Sequence, residues 1–161
     1  MAGLPYMQLI EVKCWADRGL CGAIGNNAGR LSAEDMAILI RILDHFHVVD
    51  RIFQHHLLGR AHGFGAARSD APPAFDELVE NIEILDGWYR SYVGSLSPVD
   101  FDEYVDFTFT SGKPARMRRG DILLHVCLHG TYHRGNAGAV LQLQGLTPSR
   151  DAITDYLEEA A

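Results

Sequence analysis

The sequence has no long apolar run, few cysteines and no concentrated basic charge, and each absence removes a class of function. No window approaches the roughly 18 to 20 consecutive apolar residues of a membrane span, so no membrane partner is expected. The opening MAGLPYMQLIEVKCWADR lacks the basic start and small-residue cleavage site of a secretory signal, which makes the cytoplasm the expected location. Three cysteines without a CxxC pair do not suit a disulfide framework, and Cys14, Cys21 and Cys127 read as core residues. Lys and Arg number 14 against 21 Asp and Glu, a net charge of −7, with no dense basic cluster. A surface that tracks nucleic-acid phosphates is therefore not expected. What remains is a chain of 161 residues, 47% hydrophobic, read as one domain over 1–161 with a real core to bury.

Most of the chain carries helical periodicity. A first helix is expected over about 4–26, stopped by the turn-prone NNAG. Ser32 opens a capping box, SAED, in which Ser32 accepts from a backbone N–H and Asp35 reaches back; a second helix runs on to about Leu58. The Gly- and Pro-rich stretch from Gly59 to Pro73 reads as a loop. Phe75, Leu78, Val79, Ile82, Leu85, Trp88, Tyr89 and Tyr92 then recur at spacings of three and four, the mark of a third helix. Val105, Phe107 and Phe109 alternate with polar residues and are followed by SGKP, which predicts a small hairpin. A fourth helix is expected from about Arg119 to Gln144 with Gly145 as its stop, and Thr147 or Ser149 could cap a short acidic last helix. The expected fold is all-α, a four-helix bundle with one β-hairpin before the fourth helix.

Against that frame of apolar residues the eight histidines stand out. The stretch LLHVCLHGTYHRG places His125, His129 and His133 at intervals of four on the fourth helix. His129 and His133 are neighbours one turn apart and can point at one ion. His125 and His133 are separated by about 12 Å along the axis, too far for one ion to take both. A further ligand must come from another helix. The second helix carries ILDHFHVVDRIFQHH, where Ile38, Ile42, His45, Val49 and Ile52 form a stripe that predicts a core-facing His45. His47, His55 and His56 fall at the edge or the end of the helix and are expected in solvent. On spacing alone two readings stay open: a shared metal ion, or imidazoles hydrogen-bonded within the core. The absence of Glu at position 130 excludes the HExxH zinc protease. Gly130, Gly135 and Gly138 predict either close approach of another group or a helix that kinks.

HFHVVDRIF, followed far downstream by LLHVCLHGTYHRG and by SRDAITDYL near the end, resembles the DinB family from about Trp15 onward. The resemblance implies a four-helix bundle of the DinB type. It also implies one divalent ion, zinc, nickel or iron, held by His45, His129 and His133, with His125 beside the site. Homodimers are common in the family, and the Gly-containing faces of the first and fourth helices are candidate contacts. Some relatives are metal-dependent transferases or isomerases that act on a small-molecule substrate with a low-molecular-weight thiol. A metal-dependent hydrolase and a non-enzymatic metal- or ligand-binding stress protein are the alternatives.

Several neighbours of the motif carry expectations of their own. Arg134 is expected in a surface ion pair, with a substrate carboxylate as its alternative partner. Tyr132 reads as a packed aromatic. Asp44 and Asp50 are expected in solvent, with orientation of the imidazoles as their alternative role.

Overall fold

Residues 3–161 are described by a computed structural model. Helix α1 spans Gly3–Asn26, α2 Ala33–Leu57, α3 Phe75–Ser95 and α4 Arg119–Leu143. A hairpin of β1 (Tyr104–Thr108) and β2 (Pro114–Arg118) lies between α3 and α4, and α5 covers Ile153–Glu159. Local chemistry sets most of these boundaries. Ser32 Oγ accepts from the Asp35 backbone N–H at 3.0 Å and donates to the Asp35 carboxylate at 2.6 Å, so the cap forms while Asp35 answers the hydroxyl rather than a backbone N–H. Helix α4 ends in a left-handed Gly145 at φ 68°, and the Leu146 N–H returns to the Leu141 carbonyl at 3.0 Å. Helix α2 ends the same way at Gly59. The short α5 is entered from Ala152, not from Thr147 or Ser149, because the segment before it lies extended against α1 and α4, with Ser149 beside Gly19 and Pro148 beside Gly138.

The hairpin is antiparallel, with Val105 opposite Met117 and Phe107 opposite Ala115. The period of two has its expected consequence: Phe107 is buried and Val105 and Phe109 are half-buried, whereas Asp106, Thr108 and Thr110 are exposed. Helices α1 and α2 each pack against both α3 and α4, so α1 and α2 face each other across the bundle. One apolar cluster, including Ile10, Phe53, Tyr89, Phe101, Phe107 and Val126, fills the hairpin end. Another, including Leu20, Ile24, Leu39, Phe46, Ile82 and Leu141, fills the opposite end.

Buried charge is shared by all four helices. The Lys13 ammonium of α1 reaches Asp17 at 2.7 Å, Asp50 of α2 at 3.0 Å and Asp86 of α3 at 2.6 Å. Arg134 of α4 donates to the other oxygen of Asp17 at 2.7 Å and grips Asp151 with two nitrogens at 2.7 and 3.0 Å. Burial draws the Lys13 ammonium toward neutrality, but its three carboxylates outweigh that and hold it charged. Burial pushes Asp50 up to about 7 and Asp86 up to about 6, against the pull of Lys13. Gly130 belongs to this arrangement: a Cβ there would lie 2.8 Å from Arg134 Nη1. Of the two readings of the α4 glycines, close approach therefore holds at Gly130, while Gly135 faces open space.

Three expectations about charged side chains are corrected here. Arg134 is buried and paired in the interior, and Asp44 and Asp50 are buried rather than in solvent. The reason is that α2 has no solvent face along this stretch, since its outer side is covered by the 59–74 loop. Asp44 accepts from both the N–H and the hydroxyl of Ser69, and Val48 and Ile52 lie buried on that side. Asp50 meets Lys13, so neither carboxylate hydrogen-bonds an imidazole.

Replacing Lys13 by Met, of similar length, strands Asp50 and Asp86, while Asp17 keeps Arg134, and should cost about 3–5 kcal/mol at pH 7.5. At pH 5 the cost should be smaller, because carboxylates without their cation take up protons instead. Urea unfolding at the two pH values measures both, and an unchanged midpoint at pH 7.5 would show that the ammonium is dispensable.

Candidate metal centre

Helix geometry brings His129 and His133 of α4 onto the side that packs against α2, and His45 of α2 meets them there. One ring nitrogen from each of the three lies within 4.8 Å of the other two. The ring centroids are 4.4 Å apart for His129 and His133, 4.4 Å for His45 and His133, and 5.0 Å for His45 and His129. All three side chains are half-buried. His45 Nδ1 lies 2.6 Å from the Ala67 carbonyl, which can only accept. That nitrogen must therefore carry the proton, leaving the Nε2 lone pair free toward the cluster. The 59–74 loop thus sets the tautomer of His45, and Asp44 holds the loop by Ser69, one residue away on α2.

The two imidazoles of α4 are held toward their neutral form. Burial, then the neighbouring His133, His45 and His125, pushes His129 down to about 3. Burial and His45 lower His133 as well. Near pH 7 these groups hold lone pairs, as metal ligation requires. His129 Nδ1 is sealed from solvent without a hydrogen-bond partner, an unmet polar atom in the middle of the cluster. Neutral His129 and His133, an unsatisfied nitrogen on His129 and the free Nε2 of His45 fit a divalent ion, and these three are the residues that could hold it.

The remaining sequence expectations divide. His125 stays outside the three-histidine group, its ring 5.4 Å from His129 and 4.8 Å from Phe53. Cys14, Cys21 and Cys127 are buried. His45 is not in the core proper: of its stripe Val49 and Ile52 are buried, whereas Ile38 is exposed and His45 is half-buried beside α4. His47 and His56, expected in solvent, are each only 7% exposed. Burial pushes His47 down to about 4, and it does the same to His56. His47 is covered by α3 and His56 by the hairpin, contacts that the pattern of one helix does not contain. Tyr132, expected to pack, is 67% exposed on the outer face of α4, its ring edge-on to His133.

A helical bundle whose second and fourth helices join three histidines at one point defines a class of candidate metal-binding proteins. The model of the DinB family matches residues 28–161, and the chain belongs to the DinB family. A crystal structure of a DinB-like protein from Bacillus cereus has the same fold, with a TM-score of 0.67 at 14% identity over 90% of this chain and 94% of the other. No curated protein matches the sequence.

The purified protein should carry about one divalent ion per chain, lost on His129→Ala or His133→Ala and kept on His55→Ala. Elemental analysis reads this directly, and full retention by His133→Ala would remove that residue from the site. Linkage adds a thermal signature. A ligand that binds the native chain better than the unfolded one stabilises it, so chelation at pH 7.5 should lower Tm by several degrees. His129 takes its proton far below the ordinary histidine range of about 6.5, so the unfolded chain binds more protons than the native one as pH falls through that range, and native stability declines. The same depression moves proton competition for His129 and His133 to more acidic conditions, so the difference between loaded and stripped protein should largely persist at pH 5 and shrink only below it. The apolar core should keep the stripped protein folded throughout.

Proposed function

We propose that the chain is a divalent-metal-dependent transferase, or a related isomerase, that uses a low-molecular-weight thiol on a small electrophilic substrate. The observation that carries this reading is the setting of the three histidines. His45 and His133 line an open, largely apolar cleft of about 560 Å³, walled by Ala37, Ile38 and Ile42, with Glu34, Arg41 and Asn136 also lining it. A divalent ion bound to three neutral imidazoles keeps its full charge, which favours the deprotonated form of a thiol or of water near neutral pH.

The protein residues supply the rest. Ala67 fixes the His45 tautomer, and His129 and His133 are held one turn apart on a helix whose rotation Arg134 sets. The apolar wall shelters an electrophile with a hydrocarbon body. Arg41 offers a charge for an acidic end of substrate or thiol. In the proposed transfer the thiol sulfur bonds to the electrophilic carbon, and the thiol proton departs with the displaced group. In an addition that proton remains on the adduct.

The test is loss of a small alkyl halide or epoxide measured with and without glutathione or another small thiol. Loss should require the thiol and vanish on chelation. His133→Ala should lower it by more than the roughly 10- to 100-fold that losing an outer partner of a metal ligand costs. Ester or amide turnover without thiol would assign the hydrolase instead, and metal binding without turnover of either kind would leave a ligand-binding protein.

The partner we propose besides the substrate is a second copy of the chain, packed on the outer face of α4. Beyond Asp121 the only Lys, Arg, Asp or Glu of this helix is the buried Arg134. The face presents Leu128 at 67%, Tyr132 at 67% and Leu143 at 83% exposure, with small Gly135 and Ala139 between them. A long helix face without charge suits self-association about a two-fold axis. Light scattering should give about twice 17.8 kDa, and Leu128→Glu combined with Leu143→Glu should return the mass to that of one chain.

A further inference from the structure

We propose that the chain has a second, weaker transition-metal site, held by His56 at the end of α2 and His62 in the loop that follows. His56 is 7% exposed, and its ring stacks on Phe107 of β1 at 4.4 Å and meets Phe53 edge-on at 5.6 Å. His62 stands against it, with ring centroids 5.1 Å apart. That separation matches the 5.0 Å between His45 and His129 in the three-histidine cluster. His56 Nε2 and His62 Nδ1 are both sealed from solvent, and neither has a hydrogen-bond partner. Two adjacent imidazoles with unmet nitrogens therefore face a shortage of donors and acceptors that a bound ion would remove.

Three further features point to an ion. Five residues separate the two histidines, within the spacing that zinc sites use for a histidine pair, and Gly59 at φ 63° makes the tight turn between them. Both rings line a cavity of about 500 Å³ under the hairpin, which leaves room beside them for an ion. Phe53, Phe64 and Phe107 surround the pair with an apolar shell that limits the access of water to it. Among the described residues only the His45 cluster gathers three donors within reach of one point. The second site therefore has two protein ligands at its heart and fills at higher free metal than the first.

The proposal does not rest on the reading of the three-histidine centre, and the two can fail separately. The experiment is a titration of the full chain, first stripped by chelation, with zinc against a chromophoric zinc indicator. The wild-type chain is expected to take up a second equivalent after the first. His62→Ala, on an exposed loop where folding is not at risk, should lose the second equivalent and keep the first. His56→Phe, which retains the stack on Phe107, should do the same. His133→Ala should lose the tighter equivalent and keep the weaker one, and zinc should still raise its Tm, an effect that adding His62→Ala abolishes. Uptake of a single equivalent by the wild-type chain, or a second equivalent that survives in His62→Ala, would overturn the proposal and leave the pair bridged by water.

Discussion

The Lys13 ammonium, enclosed by carboxylates from three helices, is the constraint on which the arrangement of the bundle depends. A charge out of water is tolerable only beside its partner, so Asp17, Asp50 and Asp86 must all turn inward at one level. Asp17 passes the constraint to Arg134, and Arg134 fixes the rotation of α4 about its own axis. Apolar packing alone tolerates a slip of one side chain for another of similar volume. A slip that separates Arg134 from Asp17 strands two buried charges.

The same constraint reaches the histidines. His133 precedes Arg134, and His129 lies one turn below, so a helix rotated to satisfy the guanidinium necessarily presents both imidazoles to α2. Asp50 performs the corresponding task on α2, five residues from His45. Gly130 is the local cost: a residue that weakens helix interiors occupies the one place where a side chain would collide with the guanidinium. The outer strap then completes the site. Asp44 fastens the loop through Ser69, and the loop returns the Ala67 carbonyl that orients His45. The histidine cluster is thus supported on one side by buried charge and on the other by a loop whose sequence carries no periodic signal.

The proposed chemistry follows from what this support leaves open. His129 and His133 are enclosed enough to stay neutral, and His45 and His133 are exposed enough to meet a ligand from the apolar cleft. A fully buried cluster would lack access. A fully exposed one would compete with protons near neutral pH, whereas burial moves that competition to more acidic conditions.

The sequence by itself determined the elements and much of the site. Spacings of three and four marked the helices, the alternation about Phe107 marked the hairpin, and Ser32 and Gly145 marked helix ends, because each is a property of neighbours along the chain. The pair His129 and His133 was legible for the same reason, as one turn of helix joins them. On α2 the stripe from Ile38 to Ile52 and the family resemblance both pointed to His45, although only Val49 and Ile52 of that stripe are buried and His45 itself is half-buried. Only the tertiary structure decided that Arg134, Asp44 and Asp50 are buried, that His47 and His56 are covered and that Tyr132 is not. Burial depends on what lies across from a helix, and α3, the loop and the hairpin reach these positions from far along the chain. Hydrophobic patterning describes one face of one helix, whereas the Lys13 charge is held inside by partners from its own helix and two others.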